Sequence, residues 1–371
     1  MKRFVYADNA ATTKLDIDAF EAMRPYLLDE YGNASQPYAF SRKPKKALKE
    51  AREIIARCIN ADPEEIYFTS GGTESDNWAI KGFALGKTDK STIITSQIEH
   101  HAVLRTCEFL EKLGYPVAYL PVTREGIITS EILESFITDT TGLVSIMFAN
   151  NEIGTIENIK ELCDIAHKHG ALFHTDAVQA VGHVMIDVKE LAVDMLSASA
   201  HKFNGPKGIG FLYIKKGTNI SQYASGGSQE SGLRAGTENV ASIVGMAVAI
   251  KKNCDMIADN TRYLESLEKR LVDGISGLDF IKNGHCHRIP GNISLSFKNI
   301  DGEALLHRLD LMGICVSTGA ACDTIDTQVS HVLKATGLTE DYAKGTIRIS
   351  LSKYNTLEDV DYIVAALRKI I

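Results

Sequence analysis

Short apolar runs alternate with amphipathic stretches through the middle of the chain. The runs predict strands at Glu65–Thr69, Thr92–Thr95, Pro116–Leu120, Leu143–Ala149, Ala171–His174, Met195–Ala198 and Ile209–Ile214. Between them, apolar residues recur at spacings of three and four, as in Ala47, Leu48, Ala51, Ile54, Ile55 and Cys58, or Ile159, Leu162, Cys163 and Ala166. That spacing is one face of a helix. Strands alternating with helices predict an α/β fold with a mainly parallel, seven-stranded sheet covered on both faces. After about residue 255 the texture changes. Asn292–Phe297 and Thr346–Leu351 alternate polar and apolar residues, as half-buried antiparallel strands do, with helices at Gly302–Met312 and Leu357–Ile371. A large domain over 15–255 is expected, with a smaller α+β domain over 256–371 that residues 1–14 join by fold analogy.

Composition narrows the function classes. With 44% hydrophobic and 23% charged residues, the chain is not disordered. A net charge of −7 gives no electrostatic footprint for nucleic acid. No apolar run is long enough to span a membrane, and the N-terminus carries no apolar stretch of a secretory signal. The seven cysteines are odd in number, scattered and free of any CxxC, which points to a reducing, cytoplasmic setting.

The chemistry gathers where predicted strands end. Ser199-Ala200-His201-Lys202 closes one strand in small polar residues and a lysine, before a turn punctuated by Gly205, Pro206 and Gly208. An isolated lysine there is ordinarily a solvated loop residue. Asp176 changes this, because it ends the preceding strand in His174-Thr175-Asp176-Ala177-Val178-Gln179. Open α/β sheets bind ligands at such edges. A lysine to form a Schiff base and an acid to keep a pyridine nitrogen protonated are what pyridoxal phosphate requires. Read alone, Asp176 serves equally as a helix N-cap.

Thr69-Ser70-Gly71-Gly72-Thr73-Glu74-Ser75 follows a strand and opens a helix, so its free N–H groups suit a phosphate. Asn150-Asn151-Glu152-Ile153-Gly154 and Gln97-Ile98-Glu99-His100-His101 reach the same edge. The paired histidines, and His285-Cys286-His287, lack partners at metal-ligand spacing, and no metal is expected. Cys322 lies in Ser317-Thr318-Gly319-Ala320-Ala321-Cys322, a run of small residues unlike the apolar periodic settings of Cys58 and Cys163, and this marks it as reactive. Arg348 lies on an alternating strand, opposite Ile347 and Ile349, where a guanidinium can clamp a carboxylate or make an exposed salt bridge.

As a set these motifs resemble the cysteine desulfurases of the NifS/IscS branch of the fold-type I pyridoxal phosphate enzymes. The resemblance runs from Tyr6-Ala7-Asp8-Asn9-Ala10-Ala11-Thr12-Thr13 to the last helix, through Tyr31-Gly32-Asn33, Thr69–Ser75, Asn150–Gly154, Asp176–Gln179, His201-Lys202, Gly226–Val240 and the cysteine run. It implies that Lys202 bonds the cofactor, Asp176 pairs with the pyridine nitrogen and His100 stacks on the ring. Asn151 and Gln179 would bond the phenolic oxygen region, and Gly72, Thr73, Ser199 and His201 the phosphate. Thr237 would reach the phosphate of a neighbouring subunit, making the protein a homodimer. Arg348, with Asn33 nearby, would bind the carboxylate of L-cysteine. Sulfur would pass to Cys322 as a persulfide, with His100 as general acid, and then to an acceptor protein for iron–sulfur, thio-cofactor or tRNA synthesis. A selenocysteine lyase or another enzyme of the same fold is the alternative, and a non-catalytic scaffold a more distant one.

Three departures stand out. The family's usual Ser-Ser-Gly-Ser-Ala-Cys reads Ser-Thr-Gly-Ala-Ala-Cys, followed by Asp323 and Asp326, two carboxylates that disfavour a thiolate and predict slow attack. Residues 34–41 lack the usual histidine and glycine after Asn33. The chain ends at Ile371, directly after the last helix, without the extension by which relatives dock a scaffold.

Overall fold

The computed structural model describes residues 3–86, 89–318 and 329–371; Cys322, Asp323 and Asp326 lie outside the described residues. Among the described residues, twelve strands run in chain order: β1 (Val5–Tyr6), β2 (Ile66–Thr69), β3 (Thr92–Ser96), β4 (Val117–Leu120), β5 (Thr141–Ser145), β6 (Leu172–Asp176), β7 (Met195–Ser199), β8 (Gly210–Ile214), β9 (Phe280–Lys282), β10 (Asn292–Phe297), β11 (Ile314–Cys315) and β12 (Thr346–Ser350).

The seven predicted strands of the middle region form one sheet, in the order β2-β8-β7-β6-β5-β3-β4. All are parallel except β8, which runs against both β2 and β7. The strands are largely apolar because helices cover both faces, with a buried polar row through Ser145, His174 and Ser197. On one side Trp78, Ile80 and Phe83 of helix Gly72–Ala84 pack with Val103 and Leu110 of helix His101–Lys112. On the other, Ile55, Leu162 and Met246 come from helices Arg42–Cys58, Ile159–Lys168 and Val240–Cys254. The expected Leu143–Ala149 strand ends at Ser145. Beyond it the chain stays bonded to β6, through Ile146 N–H to His174 O and Phe148 N–H to Asp176 O, before it turns at Asn150.

A second apolar cluster lies after residue 255. Leu267 and Leu271 of helix Ile257–Gly274 and Ile363 and Leu367 of helix Leu357–Ile370 cover one face of the antiparallel sheet β12-β10-β9. The sequence predicts β10 and β12 half-buried, but both are buried at every residue. Their polar positions are instead satisfied internally, as buried polar groups must be. Asn283 donates to Ser294 and Ser296, and Ser296 bonds Thr346. The N-terminal segment covers the edge: β1 pairs in parallel with β11, and Asp8 bridges to Ser350.

Glu157 lies buried beyond β5. One carboxylate oxygen accepts from Ile128 N–H at 3.0 Å, the other has no partner among the described residues, and burial pushes the group up to about 8. A carboxyl raised above its unfolded value contributes stability that is full below that value and is lost as pH rises through the folded one. Glu157→Gln should therefore flatten the fall in melting temperature between about pH 5 and 8, raising it by about 2 °C or more at the upper end. Thermal melts of both proteins across that range check this.

Candidate active site at the carboxyl edge of the sheet

The strand ends, not the strands, build the site. β6 and β7 each run to a polar residue at the same edge, and their register sets Asp176 beside Ser197. Asp176 is buried, and one oxygen accepts from Val178 N–H at 2.9 Å. This Asx turn is the local role that an N-cap reading foresees, and it leaves the other oxygen for a ligand. Burial pushes the carboxyl up, opposed by His100 and Lys202.

After Ser199 a single tight turn, Ala200–Lys202, carries the lysine over the edge. Lys202 Nζ donates to the carbonyls of Ala10 at 2.6 Å and Ala11 at 2.8 Å, and Gln179 Nε2 also donates to Ala10 O, at 3.0 Å. His100 caps helix His101–Lys112: its Nδ1 accepts from Ala102 N–H at 3.1 Å, so the neutral ring carries its proton on Nε2. Burial holds this imidazole below its ordinary value.

Two glycines shape the adjoining wall. Gly71 takes φ = 147°, and a Cβ on Gly72 would stand 2.6 Å from Val178 Cγ2. The backbone N–H groups of the first turn of Gly72–Ala84 thus remain open to an anion. Ser199 and His201 stand on the same wall. His201 is held at about 4 by burial and by the charges of Lys202 and Lys207, and its Nδ1 meets Thr12 Oγ1 at 3.1 Å.

These groups line a cavity of about 580 Å³ together with Asn151 and Arg348. Arg348 makes no exposed salt bridge. It is buried, its Nη2 pairs with Asp8 at 2.7 Å, its Nη1 donates to Asn151 O at 2.8 Å, and its Nε has no partner among the described residues. The cavity therefore offers an anion cradle, a buried carboxylate with a neutral imidazole, a lysine, and a guanidinium. That donor set fits pyridoxal phosphate with an amino-acid carboxylate beside it.

Asn33 and Thr237 are not among the residues lining this cavity. Asn33 Oδ1 accepts from Ser35 N–H, and Thr237 is exposed on a smaller neighbouring cavity that shares Ser70 and Gly208 with the main one. Conversely, sequence reasoning passed over Asp76, Asp8, His331 and Glu152, all of which line the main cavity. His331 Nε2 donates to Glu99 O at 3.0 Å, and its ring lies 4.9 Å from that of His101. Asp76 left a signal: it falls on the stripe of Gly72, Ala79, Ile80 and Phe83 that faces the sheet.

The family model for aminotransferase class-V matches residues 5–363, and the chain belongs to that family of pyridoxal phosphate enzymes. A cysteine desulfurase IscS of Clostridium botulinum is 49% identical over all of this chain and 95% of its own length. A solved NifS-like protein superposes with a TM-score of 0.94 at 40% identity, covering 99% of both chains. SspA, solved in complex with cysteine, does so at 0.86 and 36% identity over 95% of this chain and all of its own. Within the family, the chain is a cysteine desulfurase.

Gly72→Ala should weaken cofactor binding about tenfold, since the added methyl meets a β-branched side chain that cannot turn aside. Val178→Ala in the same chain should restore most of it. Titration of apoprotein with pyridoxal phosphate measures both.

Proposed function

We propose that this cavity converts L-cysteine to L-alanine, with Lys202, Asp176, His100 and Arg348 as its working groups and Cys322 as the sulfur acceptor. One observation carries the reading: Asp176 and Lys202 end neighbouring strands in one cavity whose other walls are a helix N-terminus and a buried arginine. Pyridoxal phosphate, when bound, supplies an aldehyde for the substrate amine and a protonated ring that draws electrons from Cα.

The chain's residues divide the remaining work. Asp176 holds the counter-charge for the ring nitrogen, and the first turn at Gly72 and Thr73, with Ser199 and His201, holds the phosphate. His100 covers the ring, with Asn151 and Gln179 at its phenolic edge. Arg348 binds the substrate carboxylate and fixes which Cα bond stands over Lys202. The amine of Lys202 takes the Cα proton and returns one later. The Cys322 thiolate attacks the substrate sulfur: an S–S bond forms, the Cβ–S bond breaks, and its electron pair stays with the carbon fragment. His100 passes the Nε2 proton to the carbon fragment, and the proton that Cys322 gives up on becoming a thiolate restores it. L-Cysteine and one thiol thus give L-alanine and one persulfide, with no external oxidant.

Outside the cavity, Thr237 and Asn33 fit a homodimer in which each chain completes its neighbour's site, and the cluster that joins Val5 and Ala7 to residues 264–367 supports a division into 15–255 and 1–14 with 256–371, with Val332, Leu333 and Ala343 packing across it onto Ile98, Met147 and Ile153. No helix of the described residues is long and apolar enough to cross a membrane, and the six described cysteines are free. On this reading the protein works in the cytoplasm, with delivery of the persulfide to an acceptor protein.

Lys202→Ala should abolish alanine formation. Cys322→Ala should leave cofactor binding intact and lose persulfide and sulfide. Transamination does not need that thiol, so full activity of Cys322→Ala on cysteine would overturn the assignment. Arg348→Lys should raise KM for cysteine about tenfold or more, because one ammonium cannot replace a bidentate guanidinium. Alanine and sulfide assays, with the cofactor absorbance, separate these outcomes.

A further inference from the structure

Asp76 is a buried acid that the reaction above leaves unused. It is 1% exposed, on the face of helix Gly72–Ala84 that packs over β6 and β7. A carboxylate oxygen of Asp76, a ring nitrogen of His100 and a carboxylate oxygen of Asp176 lie within 4.8 Å of one another. Asp76 Oδ1 has no hydrogen-bond partner among the described residues, and His174 Nε2 stands 3.7 Å from it.

His174 belongs to a polar row across the sheet. It shares a face of β6 with Asp176, two residues on. Its Nδ1 meets Ser145 Oγ of β5 at 2.8 Å and its Nε2 meets Ser197 Oγ of β7 at 3.0 Å. All three side chains are fully buried, and burial holds His174 at about 3, so it is neutral.

The groups facing Asp76 are Asp176 and His174 from β6, Ser197 from β7, and Glu99 and His100 from the segment before helix His101–Lys112. None is a fixed cation. Two carboxylates this close, away from water, do not both ionise. The charge of Lys202 favours ionisation of Asp176; burial, and then Asp176 itself, push the Asp76 carboxyl well up. Glu99, raised to about 8 mainly by burial, offers no positive charge either.

We infer that Asp76 is a positioning residue for the cofactor's counter-ion: as a neutral acid it braces the His174–Ser197 row and leaves Asp176 as the single carboxylate that meets the ring nitrogen. The inference rests on the role proposed for Asp176. It makes the charge beneath the ring one, not two, and ties its position to three strands.

Asp76→Asn preserves shape and neutrality, so apoprotein carrying it should bind pyridoxal phosphate within about threefold of the parent. Asp176→Asn should weaken binding about a hundredfold, equivalent to about 2.7 kcal/mol. A carboxyl raised in the folded state supports folding at low pH and loses that support as pH rises, so Asp76→Asn should remove part of the parent's loss of melting temperature as pH rises above the ordinary carboxylate range. If Asp76→Asn loses the cofactor as Asp176→Asn does, Asp76 is a charged ligand and the inference fails. It fails equally if the pH profiles coincide. If Asp176→Asn binds normally, the fault lies with the reading of Asp176. Should the asparagine variant not fold, carboxyl carbon resonances of the parent decide: a buried aspartic acid must remain protonated at neutral pH, and its absence overturns the proposal.

Discussion

The pairing of β6 with β7 is the constraint on which the site depends. Its register puts Asp176 beside Ser197 and ends both strands at one edge, so the turn that follows β7 delivers Lys202 to the cavity Asp176 faces. A slip of one residue would send Asp176 and His174 to the opposite face together, since side chains alternate along a strand. Such a slip would also push apolar residues of the strand out of packed clusters on both sides, which is what forbids it. The geometry of an acid and an amine is thereby held by burial of side chains that never touch the ligand.

The N-terminal segment supplies the second tie. Ala10 and Ala11 offer backbone carbonyls to Lys202 and Gln179, Asp8 pairs with Arg348, and Thr13 donates both its N–H and its hydroxyl to His201 O in the turn after β7. Four residues of one short segment therefore touch the lysine, the guanidinium and the turn. Because β1 pairs with β11, this segment also belongs to the smaller sheet's cluster. Arg348 and Asp176 come from opposite sides of that seam.

The strands themselves were legible in the sequence because buried parallel strands are mainly apolar, but their ends were read one or two residues early at β6 and β7 and four late at β5, since polar residues such as His174 and Ser197 are also buried within them. The cradle at Gly72 was legible because glycines before a helix leave few alternatives. Alternation misled in β10 and β12: it reports polar residues, but polar positions can be buried when Asn283 and Thr346 satisfy them. The pairing of Arg348 with Asp8 joins residues 340 apart, and no periodicity encodes it. Asp76 was half visible, as an acid on an apolar stripe. Its meaning lay in Asp176 and His174, which only the packed helix brings near. Asn33 and Thr237 were found by resemblance alone, and within one chain they stand away from the main cavity.

The lysine's connection has a consequence of its own. β8 runs against β7, so Lys202 sits on a short reversal pinned at its mouth by Ala200 N–H to Ile209 O, 3.1 Å, and drawn in again by Gly205 N–H to Ala200 O. A crossover helix would have given this amine a tether of variable length. Here the amine's travel is set by its own four-carbon stem, and the polypeptide beneath it has no slack. Added residues on the perimeter loops leave the reach of that stem alone; a single one between Ala200 and Ile209 would change it.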